Sequence, residues 1–249
     1  MIICSLKKTI IVYLLCCSVP LIAQPLKLVY ENHVLKTTEG NNAAMNALLM
    51  PYRVQLTDSM HKVIGFALSG MIKKQPESAL GNLVADALLL MSQKKFDTPV
   101  DAALLNYGSI RSFLPKGDIT VERIYEIIPF DNTAVLLPIT GELLQQILNR
   151  FSEKGGCLVA GIRFTIDAEK KAVSIVIGNK PLQPLQVYTI VMPDFLANGG
   201  DGFIELRQLK YDSKNYLIRD ALLDFIKLQT ELGKPIDYKT ENRIIYANH

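Results

Sequence analysis

The sequence predicts an α+β domain in which mixed sheets carry packed helices. Helix and strand patterns follow one another irregularly, without the regular βαβ alternation of a doubly wound sheet. Short apolar runs bounded by turn residues read as strands, whereas longer segments with apolar residues at i, i+3, i+4 and i+7 read as helices. A chain of 249 residues with 49% hydrophobic content is large enough to bury a full core, as one large domain or two small ones. It contains no internal repeat and no low-complexity segment.

The amino terminus reads as a targeting signal. Lys7 and Lys8 precede the apolar run 9–15, and Leu21-Ile22-Ala23 ends on a small residue, so residues 1–23 are expected to be a secretory signal peptide cleaved after Ala23. The run is too short for a comfortable membrane span, and Pro20 interrupts its continuation. The expected location is periplasmic or secreted. Lipid attachment at Cys16 or Cys17 is the alternative, although neither follows the small residue such sites usually need. Loss of the signal leaves Cys157 as the last cysteine, which excludes an internal disulfide and reads as a small buried residue. It also removes two lysines, leaving 25 basic against 24 acidic residues. That balance carries no nucleic-acid footprint.

Residues 24–43 read as an amino-terminal arm with a strand at 26–30, and residues 44–249 as the domain proper. A helix carrying Ala44, Leu48 and Leu49 is expected to stop at Pro51, before a strand at 63–68. Glu77-Ser78 caps a helix with the stripe Leu80, Leu83, Val84, Ala87 and Leu88. Asn82 and Asp86 share its other side, open to a structural or a ligand-binding reading. The apolar run Ala102–Leu105 is a buried strand. A helix then starts after Thr120, with Glu122 in its first turn, and stops before Pro129. A strand at 134–139 precedes a helix capped by Thr140, striped by Leu144, Ile147, Leu148 and Phe151, and ended by Gly155-Gly156. Residues 161–166 and 172–177 form a hairpin, and 187–192 a further strand. A last helix presents Ile218, Ala221, Leu222 and Phe225 on one side before a final strand at 243–246.

Three stretches carry the chemistry. NYGSIR (106–111) follows the buried strand with an amide, Asn106, a turn at Gly108 and a cation, Arg111. PFDN (129–132) brings a ring, Phe130, beside Asn132 at a helix end. FLANGGDGF (195–203) adds Phe195, the carboxylate of Asp201 and the glycines Gly199, Gly200 and Gly202. Taken alone, each phenyl group fits a core position, Arg111 fits a surface ion pair, and the glycines fit a tight structural turn.

Together with PESALGNLVADAL (76–88), and in this order, the stretches resemble the carboxy-terminal domain of the 5'-nucleotidase family, hydrolases of nucleotides, from about residue 44 to the end. The resemblance implies that domain's α+β fold and a substrate-binding role for Asn106, Arg111, Phe130, Asn132, Phe195, Gly199, Gly200 and Asp201. On this reading Phe130 and Phe195 clamp a base, Arg111 meets phosphate or ribose oxygens, and Asp201 meets ribose hydroxyls. Residues 24–60 correspond to the linker between the halves of the two-domain enzymes, and are expected to face a partner. The sequence departs from the family's pattern at Pro76, where some relatives have Arg, and at Ser109, commonly Gly, and Tyr107, often a small residue; the last two imply a tighter loop or a partly filled pocket, with affinity for nucleotide weakened or lost.

The hydrolytic half of the family holds two metal ions in DxH and GNHE motifs, which activate water and polarise the phosphate. Those motifs are absent, and His33, His61 and His249 have no metal-ligand spacing. No GxSxG elbow, P-loop or Ser-His-Asp arrangement replaces them. The sequence therefore predicts no catalytic or metal-binding residue in this chain. It predicts a nucleotide- or nucleoside-recognition domain completed by a separate metallophosphatase chain that carries the two divalent ions. A non-catalytic protein that captures or senses nucleosides or nucleotides is the alternative.

Overall fold

A computed structural model describes residues 42–247, with the side chains of residues 53–57 left aside. The expected signal peptide, its cleavage site and the strand at 26–30 lie outside the described residues. By its contacts the chain divides between Leu48 and Leu49. The described part of the first unit, residues 42–48, opens helix α1 (Ala43–Met60), where Asn42 Oδ1 accepts from the Met45 amide at 3.1 Å. Contrary to expectation, α1 does not stop at Pro51 but runs on to Met60. A proline removes one amide donor and crowds one preceding carbonyl, which penalises a helix without forbidding its continuation.

All the later elements lie in the second unit. Strand β1 (Val63–Ala67) leads to α2 (Ala79–Phe96) and β2 (Ala102–Leu105), and β3 (Gly117–Thr120) leads directly into α3 (Val121–Ile127). Next come β4 (Thr133–Thr140), α4 (Gly141–Glu153), β5 (Leu158–Ala160), β6 (Ile162–Ile166), β7 (Ala172–Ile177) and the two-residue β8 (Lys180–Pro181). Then β9 (Val187–Pro193), a single turn α5 (Asp194–Ala197), β10 (Asp212–Leu217), α6 (Ile218–Glu231) and β11 (Ile244–Tyr246) complete the order. Three of the expected helix starts have the cap that the sequence offers. Ser78, Thr120 and Thr140 hydroxyls accept from the amides of Gly81, Arg123 and Leu143.

A five-stranded sheet in the order β10-β4-β9-β2-β5 divides the core in two. Because successive side chains of a strand point to opposite faces, Ala103, Leu105, Ala134, Leu136 and Val191 join one cluster, with α2 and α6. Their neighbours Ala102, Leu104, Val135, Leu137, Ile190 and Met192 join the other, with α4 and the hairpin strands β6 and β7. Burial on both faces explains why these strands read as continuous apolar runs rather than alternating ones. β6 and β7 belong to a second sheet, ordered β11-β6-β7-β8, while β1 and β3 pair in a small antiparallel sheet of their own.

Asn82 and Asp86 of α2 take structural roles. Asn82 is buried and donates to Glu77 at 2.7 Å and to the Lys239 carbonyl at 2.9 Å. Asp86 accepts both arms of the Arg243 guanidinium, at 2.6 and 2.8 Å. Arg243 also meets Glu241 and the Val159 carbonyl, so the carboxy-terminal segment is clamped to α2 and β5. Replacing only one member of a buried pair leaves the other unpaired. Arg243→Met is therefore expected to lower unfolding free energy by about 3 kcal/mol in urea titration, and a loss near zero would show that the clamp contributes nothing.

Candidate ligand-binding cleft

The cleft follows from strand direction. β2 and β9 run parallel, so both leave the sheet at the same edge, delivering Asn106 from one and Asp194-Phe195 from the other. β4 runs antiparallel to β9 with Ala134 opposite Pro193, so β4 begins where β9 ends and Asn132 lies just before it. One carboxylate ties these ends together. Asp194 accepts from the Thr133 amide at 3.1 Å and its hydroxyl at 2.9 Å, and also from the Phe195 amide at 2.8 Å.

The resulting cleft has a volume of about 540 Å³. Asn106, Arg111, Phe130, Asn132, Phe195 and Asp201, which are spread over 96 positions of sequence (106 to 201), all line it. Phe195 is 44% exposed and Phe130 is half-buried, so both rings present surface to the cleft rather than to the core. Gly199 and Gly200 do not line the cleft. Gly199 has a φ of +86°, and a Cβ on Gly200 would stand 2.5 Å from the Phe195 ring, so these glycines shape the loop and admit the ring.

Phe130 is held from beneath. The buried Arg219 of α6 donates to the Phe130 carbonyl at 3.3 Å and to Asp131 at 2.7 Å, while stacking over Tyr125 at 4.1 Å. The Arg111 guanidinium lies 5.0 Å from the centre of the Phe130 ring. That contact orients the cation without neutralising it.

A hydrogen-bonded chain sets the polar floor. The buried Ser109 hydroxyl donates to Asn106 Oδ1 at 2.6 Å, which leaves the Asn106 amide nitrogen to donate to Asp201 Oδ2 at 2.7 Å. Ser109 thus selects the orientation of Asn106. Tyr107 also lines the cleft, beneath the Lys73 ammonium at 4.4 Å. Pro76 is outside the lining, with its backbone against Gly156, and Gln75 beside it reaches the cleft.

The rim is positive. Arg111 and Lys154 both line the cleft, and among the described residues neither has a carboxylate within ion-pair distance. Burial, and then repulsion from Arg111, hold the Lys73 ammonium below the usual lysine range. Sequence reasoning missed Gln75, Phe151, Lys154 and Gly156 as lining residues. Lys154 had a signal, a basic residue at a helix end, but that signal indicates capping as readily as binding.

Among the described residues, no three His, Cys, Asp or Glu side chains come together where a metal ion could be held. His61 instead faces Glu122 at 3.4 Å on the surface. No helix among the described residues is long and apolar enough to cross a membrane.

The family model described as 5'-nucleotidase, C-terminal domain matches residues 58–208. An apyrase of Tabanus yao is 31% identical over 59% of this chain and 30% of its own length. The 5'-nucleotidase of Rattus norvegicus is 28% identical over 87% of this chain and 41% of its own length. The crystal structure of a 5'-nucleotidase precursor from Thermus thermophilus superposes with a TM-score of 0.70 at 30% identity, covering 82% of this chain and 43% of that one. The chain thus spans less than half the length of each of these relatives.

Asp194 offers a direct check on how the cleft is built. Asp194→Ala removes the acceptor for three donors, and is expected to cost about 1–3 kcal/mol of stability. Amide exchange should quicken at Thr133 and Phe195 ahead of the sheet; unchanged exchange there would mean the carboxylate does not join the two strand ends.

Proposed function

The chain belongs to the 5'-nucleotidase C-terminal domain family, and from that premise we propose that it recognises the nucleoside part of a nucleotide. The observation that carries this reading is the convergence of two phenyl rings, two amides, a carboxylate and a guanidinium on one cleft. A nucleobase is planar with two apolar faces, and Phe130 and Phe195 supply aromatic surface for them; stacking on such a ring contributes about 1–3 kcal/mol. Asn132 provides a donor and an acceptor for base edges or sugar hydroxyls. Asp201 has one oxygen engaged by Asn106 and the other left to accept from a ribose hydroxyl. Arg111, with Lys73 behind it, provides positive potential for a phosphate.

Recognition alone does not break a phosphoester. We assign that step to a separate metallophosphatase chain, carrying the two divalent ions, with this chain exported to meet it and to hold the substrate in place. Fixing a reactant in the right geometry removes a large entropic part of a barrier, so a binding domain contributes to rate without touching the reacting bond. In this scheme the pair serves nucleotide catabolism outside the cytoplasm.

Two measurements test the proposal. Calorimetry of the purified chain should detect binding of adenosine and AMP, and Phe195→Ala should weaken both by roughly fivefold or more, the effect of losing one stacked ring. Unchanged affinity in that variant would remove Phe195 from the site. Mixing the chain with a candidate metallophosphatase should raise AMP hydrolysis above that of the phosphatase alone, and no gain would reject complementation while leaving a binding role intact.

A further inference from the structure

The loop that carries Asp201 turns through left-handed backbone, which its glycines adopt freely and Asp201 less so. Gly199, Asp201 and Gly202 have φ values of +86°, +53° and +88°, and Asp201 is the one non-glycine among them. Left-handed backbone is disfavoured for a residue with a Cβ, although Asp tolerates it better than most. The turn is closed by its own backbone bonds, Gly199 N–H to the Leu196 carbonyl at 2.9 Å and Phe203 N–H to the Gly200 carbonyl at 3.1 Å, and it is also tied from outside the loop.

The outside ties come from the last turn of α4 and from Lys154, the residue that caps its end. Lys154 Nζ donates to the Asp201 carbonyl at 2.9 Å, and Arg150 donates to the Gly202 carbonyl at 2.6 Å while pairing with Glu205 at 3.1 Å. The two cations are four residues apart, so they project from the same face of the helix. Between them sits Phe203, fully buried, its ring centre 5.0 Å from the Arg150 guanidinium and 5.8 Å from the Lys154 ammonium. Phe151 of α4 packs against the same ring at 4.8 Å. Arg150 already has a carboxylate and a buried ring to hold it. Lys154 is exposed, lines the cleft, and has its own carbonyl engaged by Gln75 at 2.8 Å.

We propose that Lys154 is a positioning residue for sugar recognition: by gripping the Asp201 carbonyl it aims the Asp201 carboxylate into the cleft, and so sets selectivity for ligands with a ribose diol. This inference rests on the proposed nucleoside-binding role of the cleft. It assigns Lys154 no contact with ligand. Loss of the grip leaves the Asp201 side chain to its hydrogen bond with Asn106, and the carboxylate then samples directions that miss the sugar.

The test compares adenosine, AMP and 2',3'-dideoxyadenosine by calorimetry on the wild-type chain, Lys154→Met and Lys154→Arg. Lys154→Met should weaken adenosine by roughly five- to tenfold, the scale of one ordinary hydrogen bond, and AMP by at least as much, since the variant also removes a cation from the rim. The same variant should leave 2',3'-dideoxyadenosine binding unchanged, and Lys154→Arg should restore most of the loss. Hydrogen exchange at the Phe203 amide, which donates to the Gly200 carbonyl at 3.1 Å, should quicken in Lys154→Met with no change in the melting temperature. An equal loss for all three ligands, a loss confined to AMP, or no loss at all would overturn the assignment while leaving nucleoside binding standing. Failure of the wild-type chain to bind adenosine would overturn both.

Discussion

The antiparallel register of β4 against β9, with Ala134 facing Pro193, is the constraint from which the cleft derives. It places the start of one strand beside the end of another, and β2, parallel to β9, ends on the same side. Slipping that register by one residue would send Val135 and Met192 to the wrong core and Leu136 to theirs, because each face of the sheet is buried against a different cluster. The packing that fixes the register therefore fixes the meeting of Asn132, Asp194 and Phe195 as well. Asp194 adds a local lock to an arrangement that burial has already chosen.

The aromatic surfaces of the cleft are built in different ways. Phe195 projects from a single helical turn and owes its place to the space left by Gly200. Phe130 belongs to a loop whose carbonyls and carboxylate are held by the buried Arg219. A buried guanidinium needs partners for its donors, and the loop supplies them to Nη1 and Nη2, leaving Nε without one. One side of the cleft is thus fixed by shape and the other by hydrogen bonding. Pre-set surfaces of this kind reduce the ordering that a ligand would otherwise impose.

Much of the fold is legible in the sequence because its signals are local. Ser78, Thr120 and Thr140 mark helix starts, and the stripe Leu144, Ile147, Leu148 and Phe151 marks the buried face of α4. β3 and β10 were not foreseen. Each is largely polar and becomes a strand through its pairing, with β1 in one case and β4 in the other. α1 passes through Pro51 because a proline signal is a penalty and not a veto. Six of the eight expected site residues line the cleft, and they were the ones whose side chains bear rings, amides or charge. The two glycines act through what they lack, which a sequence shows only as permission to turn.

What stayed hidden is a consistent class of contact. Arg219 reaches the Phe130 carbonyl from 89 residues away, Lys154 reaches Asp201 from 47, and Arg150 reaches Gly202 from 52. In each case the acceptor is a backbone carbonyl, a group that every residue carries and no residue type announces. A carboxylate facing a guanidinium leaves two complementary letters in the sequence, as Asp86 and Arg243 do. A cation facing a carbonyl leaves one, indistinguishable from a solvated surface charge. In the Asp201 loop the glycines supply most of the left-handed backbone, and such contacts hold the one residue between them that carries a Cβ. The geometry of this cleft is therefore set at the points where the sequence is least informative.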